Sequence, residues 1–168
     1  MVLATHAVVG GAVASLFPSH PVEAFVAGFV SHFILDAIPH WDYKLLSAYA
    51  GAKDPAPTDG PNASKYFAID LAHIGADLIL GVVLTLLIWQ PVGYMAWKIL
   101  ALGVIGGILP DFLQFVYVRF PHQPMILIQK FQDFMQAEYK IHNPYLGVFL
   151  QATVAVIVVL LVKYMIRY

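Results

Sequence analysis

The chain contains no cysteine, which excludes disulfides, thiolate catalysis and sites where cysteine binds zinc or an iron–sulfur cluster. It also has few charges, since only 11% of its 168 residues are Asp, Glu, Lys or Arg, against about 25% in soluble domains. With 60% hydrophobic residues, such a chain cannot cover a water-facing surface. We therefore predict an all-α, polytopic integral membrane bundle. The net charge of −1 offers no basic face, so we expect the lipid bilayer as a partner and no nucleic acid.

Apolar runs separated by proline and glycine predict one membrane domain, residues 1–168, with about five membrane-inserted helices. A membrane-spanning helix needs about 20 mostly apolar residues. The first run has no Lys or Arg before it, which predicts a retained helix and not a signal peptide. Pro39 disfavours helix at the preceding residue and ends the second run. The predicted order is a helical hairpin at 3–38, an exposed loop at 39–65, and helices at 66–90, 95–119 and 144–164.

Residues 125–140, "MILIQKFQDFMQAEYK", have a different pattern. Leu127, Ile128, Phe131 and Phe134 recur at helical spacing, with Gln, Lys, Asp and Glu between them. This pattern predicts an amphipathic helix that lies in the membrane interface.

If successive membrane segments alternate in direction, most ionisable side chains gather at one face of the membrane. His32 and Asp36 are four residues apart and share a helix face. Ionisable residues within a membrane are costly and indicate function. The candidates at this face are His6, His32, Asp36, Asp70, His73, Asp77, Asp111 and His142.

Two helices that each present a histidine and a carboxylate inward are typical of metal sites in helix bundles. Histidine and aspartate without cysteine suit zinc first, and also manganese or iron. We predict one or two ions; two ions about 3.5–4 Å apart are the arrangement used for phosphoester hydrolysis. Asp70 or His142 is the predicted general base. The predicted metal ligands are His6, His32, Asp36, His73, Asp77 and Asp111.

Structural roles are the alternatives for the same residues. His32 and Asp36 could form a buried hydrogen-bonded pair that holds two helices together. The spacing of Asp70, His73 and Asp77 also suits a polar packing network. His40, just past a helix end, is either a ligand or an interface residue, and Asp42 could cap a turn.

The stretches "THAVVGGAVA", "GFVSHFILDAIPHWD" and "GGILPDF" together resemble the predicted membrane-bound metal-dependent hydrolases of the inner-membrane type. The His-x-x-x-Asp pair is also similar to one in zinc-dependent phospholipase C. The resemblance covers about a third of the chain and implies that His6, His32, Asp36 and Asp111 are metal ligands. The chain departs from the family because its "LPD" element follows the "SHxxxD" element, and because "LPDFLQ" lacks the family's second Asp and His.

The leading hypothesis is a metal-dependent hydrolase that cleaves a phosphoester of a lipid or another amphiphile at the membrane surface. A non-catalytic metal-binding or ion-transporting membrane protein is one alternative, and a structural scaffold is another. An excess of Lys and Arg predicts that the cluster faces the cytoplasm from the inner membrane. The cluster side carries Lys44, Lys53, Lys65, Arg119, Lys130 and Lys140, against Lys98, Lys163 and Arg167 opposite.

Overall fold

A computed structural model describes residues 1–43, 46, 63–119 and 122–167. These residues form six α-helices and no β-strand, which confirms the predicted all-α class. Most of the predicted loop at 39–65, including Lys44 and Lys53, lies outside the described residues. The helices are α1 Leu3–Ala14, α2 Pro21–Asp36, α3 Ala63–Trp89, α4 Tyr94–Arg119, α5 Met125–Met135 and α6 Pro144–Arg167.

Three of the described helices, and not the five predicted, are long and apolar enough to cross a membrane: α3, α4 and α6. The predicted hairpin at 3–38 does form, but its two helices have only 12 and 16 residues. At 1.5 Å per residue they are about 18 and 24 Å long, short of a hydrocarbon core of about 30 Å. Prolines at 18, 21 and 39 shorten both of them.

Helix α1 forms the centre of the bundle. It contacts α2, α3, α4 and α6, and nearly all of its residues from Ala4 to Ala14 are buried. Val8 and Ala12 pack against Val159 and Val162 of α6. The short first helix is therefore enclosed mainly by protein.

Glycines on α4 allow α1 and α2 to approach it closely. A Cβ on Gly107 would lie 2.5 Å from the carbonyl oxygen of His6, and a Cβ on Gly28 of α2 would collide with the carbonyl oxygen of Gly103. α4 continues through Pro110, which has no N–H to donate to the Gly106 carbonyl. These close contacts bring the start of α1 and the middle of α2 against the same part of α4.

The outer faces of α3 and α6 are apolar and exposed. Leu80 and Leu87 on α3 and Leu160 and Leu161 on α6 each expose more than half of their surface. Soluble monomers seldom expose apolar patches of this extent. These faces suit a lipid environment.

Helix α5 is amphipathic, as predicted, but it ends at Met135 and not at residue 140. Its apolar side chains Leu127, Phe131 and Phe134 point outward and are exposed, whereas Gln129 and Gln132 are buried. The polar face is therefore turned towards the protein.

Candidate metal centre

Helices α1 and α2 run in opposite directions and bring His6, His32 and Asp36 together in the interior. All three are buried, and each offers a ligand atom within 4.8 Å of the other two. The imidazole rings of His6 and His32 are stacked with centroids 4.0 Å apart. A metal ion can be held by this group, which was predicted from the sequence.

Asp111 on α4 lies beside this group. Its two carboxylate oxygens lie 3.9 Å from His6 Nε2 and 3.8 Å from His32 Nε2. The two oxygens of Asp36 lie 3.2 and 3.3 Å from the same two nitrogens. Zinc bonds of about 2.0–2.1 Å in a tetrahedron place neighbouring ligand atoms about 3.4 Å apart. The spacings to Asp36 match this value, whereas those to Asp111 are longer.

The protonation of His32 is set by its backbone contact. Its Nδ1 lies 2.8 Å from the carbonyl oxygen of Gly107, which can only accept, so Nδ1 carries the proton. The Nε2 of a neutral His32 ring then presents a lone pair towards the carboxylates. A backbone carbonyl that fixes the second ring nitrogen is the usual arrangement around metal-bound histidines.

The nitrogens that face the carboxylates are buried and make no well-aligned hydrogen bond. His6 Nε2, His32 Nε2 and one oxygen of Asp111 have no hydrogen-bond partner among the described residues. A charge-assisted N–H···O bond has a length of about 2.7–2.9 Å, shorter than the 3.2 and 3.3 Å observed. Unpaired buried polar atoms are costly, so the arrangement suits a bound cation better than a hydrogen-bonded pair.

His40 and Asp42 border this group, although the sequence left their roles open. His40 Nε2 lies 3.1 Å from Asp42 Oδ1 and 3.9 Å from Asp36 Oδ1. The nitrogen of Met1, carrying the positive charge of an N-terminal ammonium, lies 3.2 Å from Asp36 Oδ1 and 2.8 Å from Asp42 Oδ1. The only hint in the sequence was the short "PHWD" stretch after the His-x-x-x-Asp pair.

The segment between α5 and α6 holds the loop that carries His40 and Asp42. The Ala137 N–H donates to the Asp36 carbonyl, and the Ile141 N–H donates to the His40 carbonyl. Lys140 Nζ lies 2.7 Å from Asp42 Oδ2. This segment therefore covers the cluster on the side of the loop.

Gln151 of α6 ties this loop to the start of α1. It is buried, it donates to the Trp41 carbonyl at 2.7 Å, and it accepts from the Val2 N–H at 2.9 Å. Gly147 lies so close to Trp41 that a Cβ would collide with it. Sequence reasoning missed Gln151 because a single glutamine in an apolar helix does not reveal its partners.

The carboxyl group of Asp42 and the hydroxyl group of Tyr43 have shifted pKa values. Burial opposes the charge of Asp42, but His40, the Met1 ammonium and Lys140 outweigh burial and hold the pKa of Asp42 well below its usual range. Burial, with the nearby carboxylates of Asp77 and Asp111, raises the pKa of Tyr43 well above its usual value. Asp42 is therefore a carboxylate and Tyr43 a neutral hydrogen-bond donor.

The remaining predicted site residues do not belong to the group of His6, His32 and Asp36. Asp77 accepts hydrogen bonds from the N–H groups of Leu3 and Ala4 at 2.7 and 3.2 Å, so it caps the start of α1. Asp70 is buried and accepts from the Leu46 N–H at 2.9 Å. His73 and His142 are exposed. The structure thus brings together four of the six predicted metal ligands: His6, His32, Asp36 and Asp111.

The exposed fractions show where the cluster opens. The side chains of His6, His32 and Asp36 are at most 3% exposed, but those of Asp111 and Asp42 are 19% and 27% exposed. The carboxylates of Asp111 and Asp42 are therefore the least enclosed side chains of the cluster.

Comparisons of the chain with protein-family models, with curated proteins and with solved structures found no match. The function of the site is therefore inferred from its geometry.

Proposed function

We propose that the protein is a membrane-embedded, metal-dependent hydrolase that cleaves a phosphoester of a lipid or another amphiphile. One observation carries the proposal: two buried histidine Nε2 atoms, which have no hydrogen-bond partner among the residues that the structure describes, face the carboxylates of Asp36 and Asp111. The resemblance of "SHFILDAIPHWD" and "LPDF" to the inner-membrane hydrolases supports the same reading.

His6, His32, Asp36 and Asp111 would hold the ion, and zinc is the best fit, followed by manganese. A bound ion of this kind lowers the pKa of water and stabilises phosphoryl oxygens. The chain's own residues fix the geometry of the site. The Gly107 carbonyl orients His32, and Asp111 borders the opening through which substrate would enter.

An apolar groove of about 630 Å³ between α2, α4 and α5 suits the hydrocarbon chain of a lipid substrate. Its lining includes Phe33, Leu113, Phe131 and Phe134, with Lys130 as its charged residue. The Phe33 ring centroid lies 5.3 Å from that of His32 and 5.0 Å from that of Phe131. The groove therefore leads from the outer surface to Phe33, which lies beside His32. Lys130 could bind an anionic headgroup.

We place the protein in the inner membrane, with the cluster on the cytoplasmic side. Three apolar helices support membrane insertion, and the excess of Lys and Arg on the cluster side supports the orientation. We assign α5 to the interface on the same side, because its apolar face points outward and its polar face inward.

The alternatives agree less well with the site. An ion path needs polar groups along the whole crossing, whereas the end of α1 away from the cluster runs from Val8 to Ala14 with only apolar residues. A purely structural cluster would hydrogen-bond its buried nitrogens, and in the part of the chain that the structure describes His6 Nε2 and His32 Nε2 have no hydrogen-bond partner. Non-catalytic metal binding would share the same ligands and differ only in the absence of turnover.

The first test is the metal content of detergent-purified protein, measured by mass spectrometry. Wild type and His20→Ala, which changes an exposed histidine at the other end of α2, should retain metal. His32→Ala and Asp36→Ala should lose it while remaining folded by circular dichroism. Absence of metal from wild type after loading with zinc or manganese would overturn the proposal.

The second test compares substrates of different chain length. Phosphate or headgroup release from long-chain phospholipid vesicles and from a soluble short-chain phosphoester is measured for wild type and Phe131→Ala. We expect the ratio of the long-chain to the short-chain rate to fall in the variant, because the groove loses apolar lining. Metal binding without release from either substrate would leave a non-catalytic metal protein.

A further inference from the structure

We infer that His40 and Asp42 form a second cation position, which shares Asp36 with the first. The inference rests on the proposed function, because it adds an ion to a group already taken to bind one. The second position lies at the loop after α2. The sequence had instead predicted further ligands on α3, at His73 and Asp77.

His40 is held as a metal-ligating histidine would be. Its Nδ1 lies 2.7 Å from the carbonyl oxygen of Ile38, which can only accept, so Nδ1 carries the proton. Its Nε2 is buried, has no hydrogen-bond partner among the described residues, and faces the carboxylates of Asp42 and Asp36. His40 as a whole is 1% exposed. His32 is held in the same way, by a backbone carbonyl at Nδ1. The Nε2 atoms of His32 and His40 therefore both face the carboxylate of Asp36.

Asp42 is oriented by its other oxygen. Lys140 Nζ lies 2.7 Å from Oδ2, whereas Oδ1 lies 3.1 Å from His40 Nε2. Oδ1 therefore faces both His40 and the nitrogen of Met1. Hydrogen bonds from Ala137 and Ile141 to the backbone of the loop keep it against the cluster.

A backbone nitrogen lies at this position. The nitrogen of Met1 is 3.2 Å from Asp36 Oδ1 and 2.8 Å from Asp42 Oδ1, so it lies between the two carboxylates. A divalent ion bound by these two carboxylates and His40 would displace the nitrogen of Met1 from between them.

The two positions would share a bridging carboxylate. Asp36 Oδ2 faces His32, and Asp36 Oδ1 faces both His6 and His40. One carboxylate between two sets of ligands is the arrangement of two-metal sites, with ions about 3.5–4 Å apart. The ligand chemistry, imidazole with carboxylate, suits zinc or manganese.

Metal stoichiometry and the spectrum of bound manganese test the inference. Wild type should bind about two equivalents, with an exchange-coupled Mn(II) electron paramagnetic resonance signal. His40→Ala and the near-isosteric Asp42→Asn should each bind about one equivalent, with the hyperfine pattern of isolated Mn(II). His20→Ala should match wild type, and unfolding temperatures identify any variant that has lost its fold.

The outcomes separate this inference from the proposed function. If wild type binds about one equivalent and both loop variants keep it, the second position is refuted and the first stands. If wild type binds no metal, both are refuted. If Asp42→Asn is folded and still gives the coupled signal, Asp42 is not a ligand and this assignment fails.

Discussion

Asp36 is the residue on which the cluster depends, because its carboxylate faces three imidazole rings from the interior of the bundle. Asp36→Asn keeps the shape of the side chain and removes its charge. Loss of a residue that only holds a metal ligand in place weakens metal affinity by about 10–100-fold. Asp36 is proposed to contact the ion directly, so its loss should weaken zinc binding by more than about 100-fold.

Zinc-dependent thermal unfolding checks this prediction. Free zinc at about 100 times its dissociation constant should stabilise wild type by roughly 2.7 kcal/mol. The unfolding temperature of Asp36→Asn should not respond to zinc or to a chelator. An equal zinc response in wild type and variant would contradict a role for Asp36 in binding.

Substitution of Asp77, in contrast to that of Asp36, should change stability and leave metal binding unchanged. Its oxygens accept hydrogen bonds from Leu3 and Ala4, so Asp77→Ala should remove a helix cap and lower stability by about 0.5–2 kcal/mol. Metal stoichiometry should stay at the wild-type value. Lost metal in a folded Asp77→Ala would instead restore the sequence-based expectation that Asp77 is a ligand.

Among the elements, the contact between α1 and α4 positions the site. Gly107→Ala would place a Cβ against the His6 carbonyl oxygen, and neither backbone can move without separating the helices. Overpacking of this kind costs about 1–3 kcal/mol, and it should also weaken metal binding because His6 moves with α1.

Gly75→Ala is the matched control, because nothing lies within 4 Å of a Cβ at that position in α3. It should be neutral or stabilising by up to about 1 kcal/mol, since alanine favours helix over glycine. Thermal unfolding and zinc affinity of the two variants measure the difference. Equal behaviour would show that the close approach at Gly107 is not required.

The sequence predicted part of the site because part of it is local. His32 and Asp36 share a helix face through their spacing alone, and alternating segments brought His6 and Asp111 to the same end. His40 follows Pro39, outside the helix, and its position depends on backbone bonds to residue 141. No periodic pattern encodes such a contact.

Helix length was the main error in the predicted fold. Hydropathy treated the runs at 3–17 and 22–38 as membrane segments, but α1 has 12 residues and is buried among its neighbours. An apolar run has the same composition whether protein or lipid surrounds it. Asp77 lies on the predicted helix, and its hydrogen bonds to the start of α1 are a contact that leaves no local signal in the sequence.

The orientation of the whole molecule can be tested directly because the chain has no cysteine. Val92 lies between α3 and α4 and is exposed, and Glu138 lies in the segment beside the cluster and is also exposed. With the cluster in the cytoplasm, an impermeant maleimide should label Val92→Cys in intact cells and Glu138→Cys only in inverted vesicles. The opposite pattern would reverse the orientation.

The central position of α1 has a consequence for how the molecule is made. α1 is synthesised before the surfaces of α3, α4 and α6 that bury it, and at 12 residues it is too short to be retained as a span of its own. In a two-stage pathway, stable helices insert first and then associate. The hairpin of α1 and α2 would then dock after the spans that bury it have inserted, and only at that step would its side chains meet Asp111 of α4.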